Sequence, residues 1–281
     1  MDLSQLSALA AAVDEGSFES AATLLHLTPS AVSQRIKALE TATGRILVRR
    51  TKPTTVTEAG EPYLRLARQL AVLVAETERE AEQVVSIPLA VGADALATWL
   101  LAVLPRVPSS ITLDLRREDP DHTADLLRSG SVMAAITTDS RPVQGCTVTR
   151  LGVMRYRPTA SPDFAARWFS GGATAAALAM APVVVFDRKD DLQDRYLRAR
   201  GVEPSSAPRH YIPGSAEFAE AVRAGLGWGM LPDQQPIGPA VHFDPDGHHD
   251  VVLYWQQWSL RTPALDTVAD LIKAAAAATL S

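Results

Sequence analysis

Within ten residues the chain places Thr28, Pro29, Ser30, Ser33, Gln34, Arg35 and Lys37, a set of hydroxyls, one amide and two cations. Such groups suit the edges and backbone of double-stranded DNA. A glutamine amide pairs with adenine at two points, hydroxyls bond bases or phosphates, and cations displace the counterions that phosphates hold. A second basic run follows in Arg45, Arg49, Arg50 and Lys52, and from position 35 to 52 only Glu40 opposes it. Double-stranded operator DNA is therefore the expected partner, although the 281-residue chain carries a net charge of −5. The acids that make the total negative, among them Asp119, Asp121, Asp125, Asp187, Asp190, Asp191 and Asp194, lie far along the chain. At that separation they do not repel DNA at close range.

These side chains need a scaffold. Leu3, Leu6, Leu9, Ala10 and Val13 repeat at helical spacing and stop at Gly16,. Ser17 caps a second helix with Phe18, Ala21, Ala22 and Leu25 on its apolar face,. His26-Leu27 forms a short turn, and Thr28-Pro29 is an N-cap followed by proline at the first helical position,. The third helix turns Ala31, Val32, Ile36 and Leu39 inward and leaves Thr28, Ser30, Ser33, Gln34 and Lys37 outward. A hairpin of Ile46–Arg50 and 54–57, with Lys52-Pro53 at its tip, reads as a basic wing,. Residues 1–57 thus form a winged helix-turn-helix head of all-α type, whose third helix enters the major groove.

The stretch from Phe18 to Glu40, FESAATLLHLTPSAVSQRIKALE, resembles the DNA-binding signature of the LysR-type transcriptional regulators. Leu47-Val48-Arg49-Arg50 to Thr57-Glu58-Ala59-Gly60 resembles that family's wing. One departure is the proline: many members place it one position later, after a glutamine, whereas here Thr28-Pro29-Ser30 occupies the turn. From Glu58 to about Val85 a helical stripe of Leu64, Ala67, Leu70, Ala71, Val74 and Ala81 needs apolar cover,. Residues 58–87 are accordingly expected to be a linker helix that pairs two chains. The resemblance implies a homodimer or homotetramer, and RNA polymerase as a further partner.

Beyond Pro88 strands and helices alternate, which predicts an α/β domain with a largely parallel sheet. The expected division is one subdomain of residues 88–158 and 259–281 and another of residues 159–258, joined by long crossing strands over Gly152–Thr159 and Val251–Trp258. The resemblance implies that this is a periplasmic-binding-protein-like effector domain of two α/β subdomains. Ligands of such domains lie in the cleft beyond the strand ends. Gly92–Trp99, Phe186–Asp191, Gly214–Phe218 and Leu253–Trp255 are similar to the branch of the family that controls export of basic amino acids. That similarity implies lysine or arginine as the small-molecule effector, and a basic amino acid exporter gene as the target.

The expected effector site comprises Asp94, Ala95, Thr98, Thr137, Thr138, Asp139, Asp187, Gly214, Ser215 and Glu217. Helix starts near Ala95 and Ser215 offer N–H groups to a carboxylate, and Asp94, Asp139, Asp187 and Glu217 offer charge to ammonium or guanidinium groups. A second reading stays open for these acids. Asp94 and Glu217 also suit the first turn of a helix, and Asp187 the start of a turn. Trp255 is expected in the core.

An enzyme is the rival class. Gly225-Leu226-Gly227-Trp228-Gly229 follows a helix and precedes a strand, the reverse of a phosphate loop,. His242, His248 and His249 lack a zinc spacing and read as a solvated loop,. With Cys146 as the single cysteine, an intrachain disulfide and a multi-cysteine metal site are both excluded,. No catalytic residue, metal or cofactor is expected. Met1–Gln5 does not open a signal peptide and no run approaches the roughly 20 apolar residues of a membrane span, so the expected place is the cytoplasm, with no membrane partner.

Overall fold

The computed structural model describes residues 1–77, 84–117 and 123–281. Asp119 and Asp121 lie outside the described residues, as does Ala81 of the expected stripe. The head contains α1 (Leu3–Asp14), α2 (Phe18–Leu24) and α3 (Pro29–Thr43), then β1 (Val48–Arg49) and β2 (Thr55–Val56). Local chemistry sets the helix starts. Asp2 accepts from the Gln5 N–H, Ser17 from the Ser20 N–H and Thr28 from the Ala31 N–H, so each cap satisfies a donor the helix leaves over,. The wing is shorter than the expected 46–50 and 54–57. Only Val48 and Arg49 pair with Val56 and Thr55, because the Leu47 N–H is taken by Glu40 Oε1 and the Thr54 N–H by the Gly16 carbonyl.

Helix α4 covers Glu61–Thr77, and the first three residues of β3 (Val85–Val91) fall within the expected linker. The stripe on α4 does not wait for a second chain along its whole length. Leu64 and Ala67 are buried in the head's own core with Leu6, Leu9 and Ile36, and Leu70 packs on the same core. Val72 packs against the core of the following domain. Apolar faces bury against the nearest apolar surface, and for the first half of α4 that surface is α1,.

The rest of the chain runs α5 (Ala93–Ala97), β4 (Ile111–Arg117), α6 (Thr123–Ser129), β5 (Ala134–Thr137), β6 (Cys146–Ala160), α7 (Pro162–Trp168), α8 (Ala175–Met180) and β7 (Val183–Val185). It continues with α9 (Leu192–Ala199), β8 (Arg209–Tyr211), α10 (Ser215–Arg223), β9 (Gly229–Pro232), β10 (Val241–His242), β11 (His249–Trp258) and α11 (Pro263–Thr279). Helix α5 stops at Ala97, and the chain continues as two short 3₁₀ turns, Leu100–Ala102 and Leu104–Arg106. Thr98 leaves helical geometry with its hydroxyl on the Asp94 carbonyl, and Pro105 cannot donate a helical hydrogen bond,. His242 and His249 lie on β10 and β11 rather than in a solvated loop, because both segments pair with β6.

The seven-stranded sheet has the order β10, β6, β11, β5, β3, β4, with β9 added to β6. It is parallel only where β3 meets β4 and β5, which corrects the expected largely parallel sheet. β6 and β11 are long and antiparallel, and they pair from His249 opposite Tyr156 to Trp258 opposite Cys146. One half of that pair borders β5, while the other carries β9 and β10, so both subdomains hang on the same two strands. A separate parallel pair, β7 and β8, completes the second subdomain. Trp228, Trp255 and Trp258 are fully buried, Trp255 as expected. Among the described residues no helix is long and apolar enough to cross a membrane.

Two arginines of α4 fasten the head to the effector half. Arg68 pairs with Asp14 of α1 while its Nη1 donates to the Ser129 carbonyl at 2.7 Å and to Ser131 Oγ at 2.9 Å. One turn earlier, Arg65 donates to the Gln144 carbonyl. Gly130 lies against α4 at φ 72°, where a Cβ would come within 3.0 Å of the Arg65 backbone. Arg68→Ala is expected to lower unfolding stability by about 2–3 kcal/mol, chiefly through the lost charge-assisted bonds, because the half-exposed ion pair with Asp14 adds little. Denaturant unfolding of wild type and variant measures it. An unchanged first transition would mean that Arg68 does not hold the two parts together.

Candidate DNA-binding and effector sites

On the head, Thr28, Pro29, Ser30, Gln34 and Lys37 are exposed along one side of α3, with Ser33 and Arg35 half-buried beside them. Arg49, Arg50 and Lys52 of the wing are exposed as well. Arg50 joins the two surfaces: its Nη1 donates to Ser33 Oγ at 3.3 Å, and its guanidinium lies 5.3 Å from the centre of the Phe18 ring. Held on an aromatic face, that cation keeps its charge at the surface at low entropic cost. Glu40, the one acid in the basic run, turns away from it, with Oε1 accepting from the Leu47 N–H at 2.9 Å. The turn before α3 is closed by His26 at φ 54°, a left-handed conformation in which histidine is enriched among non-glycine residues,.

In the second half of the chain a cavity of about 750 Å³ opens between the two subdomains. That volume is suited to a small molecule. Of the expected effector residues, Asp94, Ala95, Thr137, Thr138, Asp187 and Ser215 line it. Thr98, Asp139, Gly214 and Glu217 do not. The Thr98 hydroxyl is spent on its own helix, and the Glu217 carboxylate folds back over Gly214, leaving no room there for a Cβ. Asp139 accepts from the backbone and side chain of Arg141, which holds its carboxyl below the usual value. That loop is tied down by Gln256, whose amide bonds Val143, Asp139 and Arg141.

Asp94 is the junction of the cavity. Its Oδ2 accepts from the Tyr156 hydroxyl of β6 at 2.8 Å and its Oδ1 from the Ser215 hydroxyl of α10 at 2.6 Å. Burial, and then the charge of Asp94, push the tyrosine well above its ordinary value, so Tyr156 stays protonated and donates,. Asp187 does what the start of a turn does, accepting from the N–H groups of Lys189 and Asp190, and it lines the cavity at the same time. Asp190, which sequence reasoning left out of the site, also lines the cavity, and it accepts from the Phe186 and Leu192 N–H groups. Its pKa is raised, first by burial and then, against those two hydrogen bonds, by repulsion from Asp94 and Asp187.

Tyr156, Gln193, His249 and Tyr254 are further lining residues absent from the expected set. The acidic run from Asp187 to Asp191 was the only available signal for Asp190. Nothing local marks Tyr156, which reaches the cavity because β6 crosses between subdomains. Five carboxylates line the wall, Asp94, Asp187, Asp190, Asp191 and Asp250, against the cations Arg117, Lys189 and Arg195. Arg195 is already paired with Asp191, and Asp250 with Arg155, which leaves Asp94, Asp187 and Asp190 against Arg117 and Lys189. The wall is therefore acidic in balance.

Residues 3–61 match the bacterial regulatory helix-turn-helix proteins of the lysR family, and residues 78–277 match the LysR substrate binding domain. The chain is 47% identical to the HTH-type transcriptional regulator LysG of Mycobacterium tuberculosis, over 98% of this chain and 94% of that protein. It is 43% identical to a lysine export transcriptional regulatory protein, LysG of Corynebacterium glutamicum, over 97% of each. A full-length structure of C. glutamicum LysG with bound effector Arg is similar at a TM-score of 0.83 and 40% identity, covering all of this chain and 99% of that one. These relatives are named as transcriptional regulators rather than enzymes. A matching DNA-binding head, a matching effector domain and relatives alike over nearly their whole length make this chain a member of the LysR family of DNA-binding transcriptional regulators, with the LysG and ArgP regulators among its relatives.

Proposed function

We propose that this regulator senses lysine or arginine in the cavity between its effector subdomains and thereby controls a basic amino acid exporter gene. The observation that carries the reading is the acidic wall built around Asp94, which is held by two neutral hydroxyl donors and by no cation among the described residues. A ligand's ammonium or guanidinium supplies the charge that Tyr156 and Ser215 do not. Arg117, also on the wall, matches an α-carboxylate in sign. The arginine bound in the C. glutamicum relative and that protein's name as a lysine export regulator support the same effector class and target.

In this reading α3 reads operator bases in the major groove through Ser33 and Gln34, and Thr28, Pro29, Ser30, Arg35, Lys37, Arg49, Arg50 and Lys52 bind around them. A cytoplasmic homodimer or homotetramer places two heads on two half-sites and presents them to RNA polymerase. Helix α4 is the element that pairs the chains in this reading.

Removing one acid from a cation–carboxylate pair in a partly desolvated cleft costs about 2–5 kcal/mol. Calorimetry should accordingly find arginine and lysine binding to the wild type and at least a thirtyfold loss in Asp94→Ala, with DNA binding retained. Unchanged affinity in that variant would exclude Asp94 from the site.

The raised pKa of Asp190 sets the sign of a pH effect. An arriving cation favours the charged carboxylate, so binding releases protons and affinity falls as pH drops through that raised value. Asp190→Asn should bind more weakly and lose this dependence. A pH profile identical to wild type would show that Asp190 does not face the ligand.

On DNA, Gln34→Ala should reduce discrimination between matched and scrambled operators by about 1–3 kcal/mol, whereas Arg50→Ala should weaken both alike and flatten the salt slope. Titrations at several salt concentrations check this. Equal losses on both DNAs for Gln34→Ala would rule out direct readout by that residue.

A further inference from the structure

Gln193, the second residue of α9, lines the cavity and is 1% exposed, yet its Oε1 accepts no hydrogen bond among the described residues. Buried side-chain acceptors without a donor are uncommon in folded proteins and ask for an explanation. The donors around it along the chain are committed. The Leu192 N–H goes to Asp190 Oδ1, the Arg195 N–H to the Asp191 carbonyl, and Arg195 Nε to Asp191 Oδ2. The residue lines the cavity, the side from which a ligand's donor approaches.

We infer that Gln193 is a specificity-determining residue of the effector site, its buried Oε1 accepting an N–H from the cationic amino acid; this rests on the effector reading above. A neutral amide suits the task. It adds no further charge to a wall where Asp94 and Asp187 already raise the cost of ionising Asp190, and it rewards direction as well as sign. A carboxylate alone attracts any cation, whereas a buried carbonyl left unpaired penalises a ligand with no N–H to give. The site would thus separate lysine and arginine from apolar amino acids of the same length.

Calorimetry on the full chain with arginine, lysine and norleucine tests this in wild type, Gln193→Met and Gln193→Glu. Methionine keeps the length and removes the acceptor, and glutamate keeps the acceptor. The expected result is at least a tenfold loss of affinity for the basic amino acids in Gln193→Met. That variant should keep a melting temperature equal to or above wild type, since an unpaired buried acceptor has gone. Gln193→Glu should bind at least as tightly as wild type, and norleucine should bind none of the three. Wild-type affinity in Gln193→Met would overturn the inference and leave the effector reading standing, as would a Gln193→Glu loss equal to that of Gln193→Met. If neither arginine nor lysine binds the wild type, the effector reading and this inference fall together.

Discussion

The antiparallel ladder between β6 and β11 is the constraint on which the other parts of the effector half depend. Ten residue pairs from His249–Tyr156 to Trp258–Cys146 keep the two strands in register across both subdomains, with one irregularity between Leu253 and Tyr254. Gly152 lies beside it at φ 152°, where the residues after α11 pass so close that a Cβ would meet Leu280 at 2.6 Å. The same two strands supply Met154, Tyr156 and Val251 to Tyr254 to the cavity wall. Backbone pairing therefore decides where the cavity is, and the loops on either side decide its charge.

Charge is segregated along the molecule. The head gathers cations on α3 and the wing and removes its one opposing acid by bonding Glu40 to the start of the wing. The cavity does the reverse, with carboxylates close enough for Asp190 to be held above its ordinary value. Hydroxyl and backbone donors on Asp94, Asp187 and Asp190 make that density tolerable, because hydrogen bonds stabilise an ionised carboxylate without cancelling its charge,. A net charge of −5 hides both surfaces.

Helix α4 joins the two. Its first half completes the head's core, and its arginines bond the chain just before β5, through Ser129 and Ser131, and just before β6, through Gln144. β5, a strand of four residues that starts at Ala134, then ends at Thr137 in the cavity wall. The covalent path from the head's fastening to the effector cavity is one short, fully buried strand.

The head was legible in the sequence because its determinants are local. Caps at Ser17 and Thr28, proline at the first position of α3 and a 3.6-residue apolar period act within a few residues of one another,. The long crossing strands and the buried Trp255 were legible for the same reason. The effector site was only partly so. Asp94, Thr137, Asp187 and Ser215 follow strand ends and helix starts, and they line the cavity, whereas Asp139 and Glu217, with the same local credentials, turn onto Arg141 and Gly214. An acid's neighbours in sequence do not say which way its side chain is drawn.

Tertiary structure alone decided that Asp94 meets Tyr156 and Ser215, 62 and 121 residues away, that Gln193 keeps an unpaired carbonyl, and that half of the α4 stripe is covered by α1. The sequence by itself determined which segments form helices and strands and where charge collects, because propensity, capping and periodicity are short-range. Which polar groups satisfy one another, and which are left for a ligand, depends on distances between remote segments that exist only once the chain has packed.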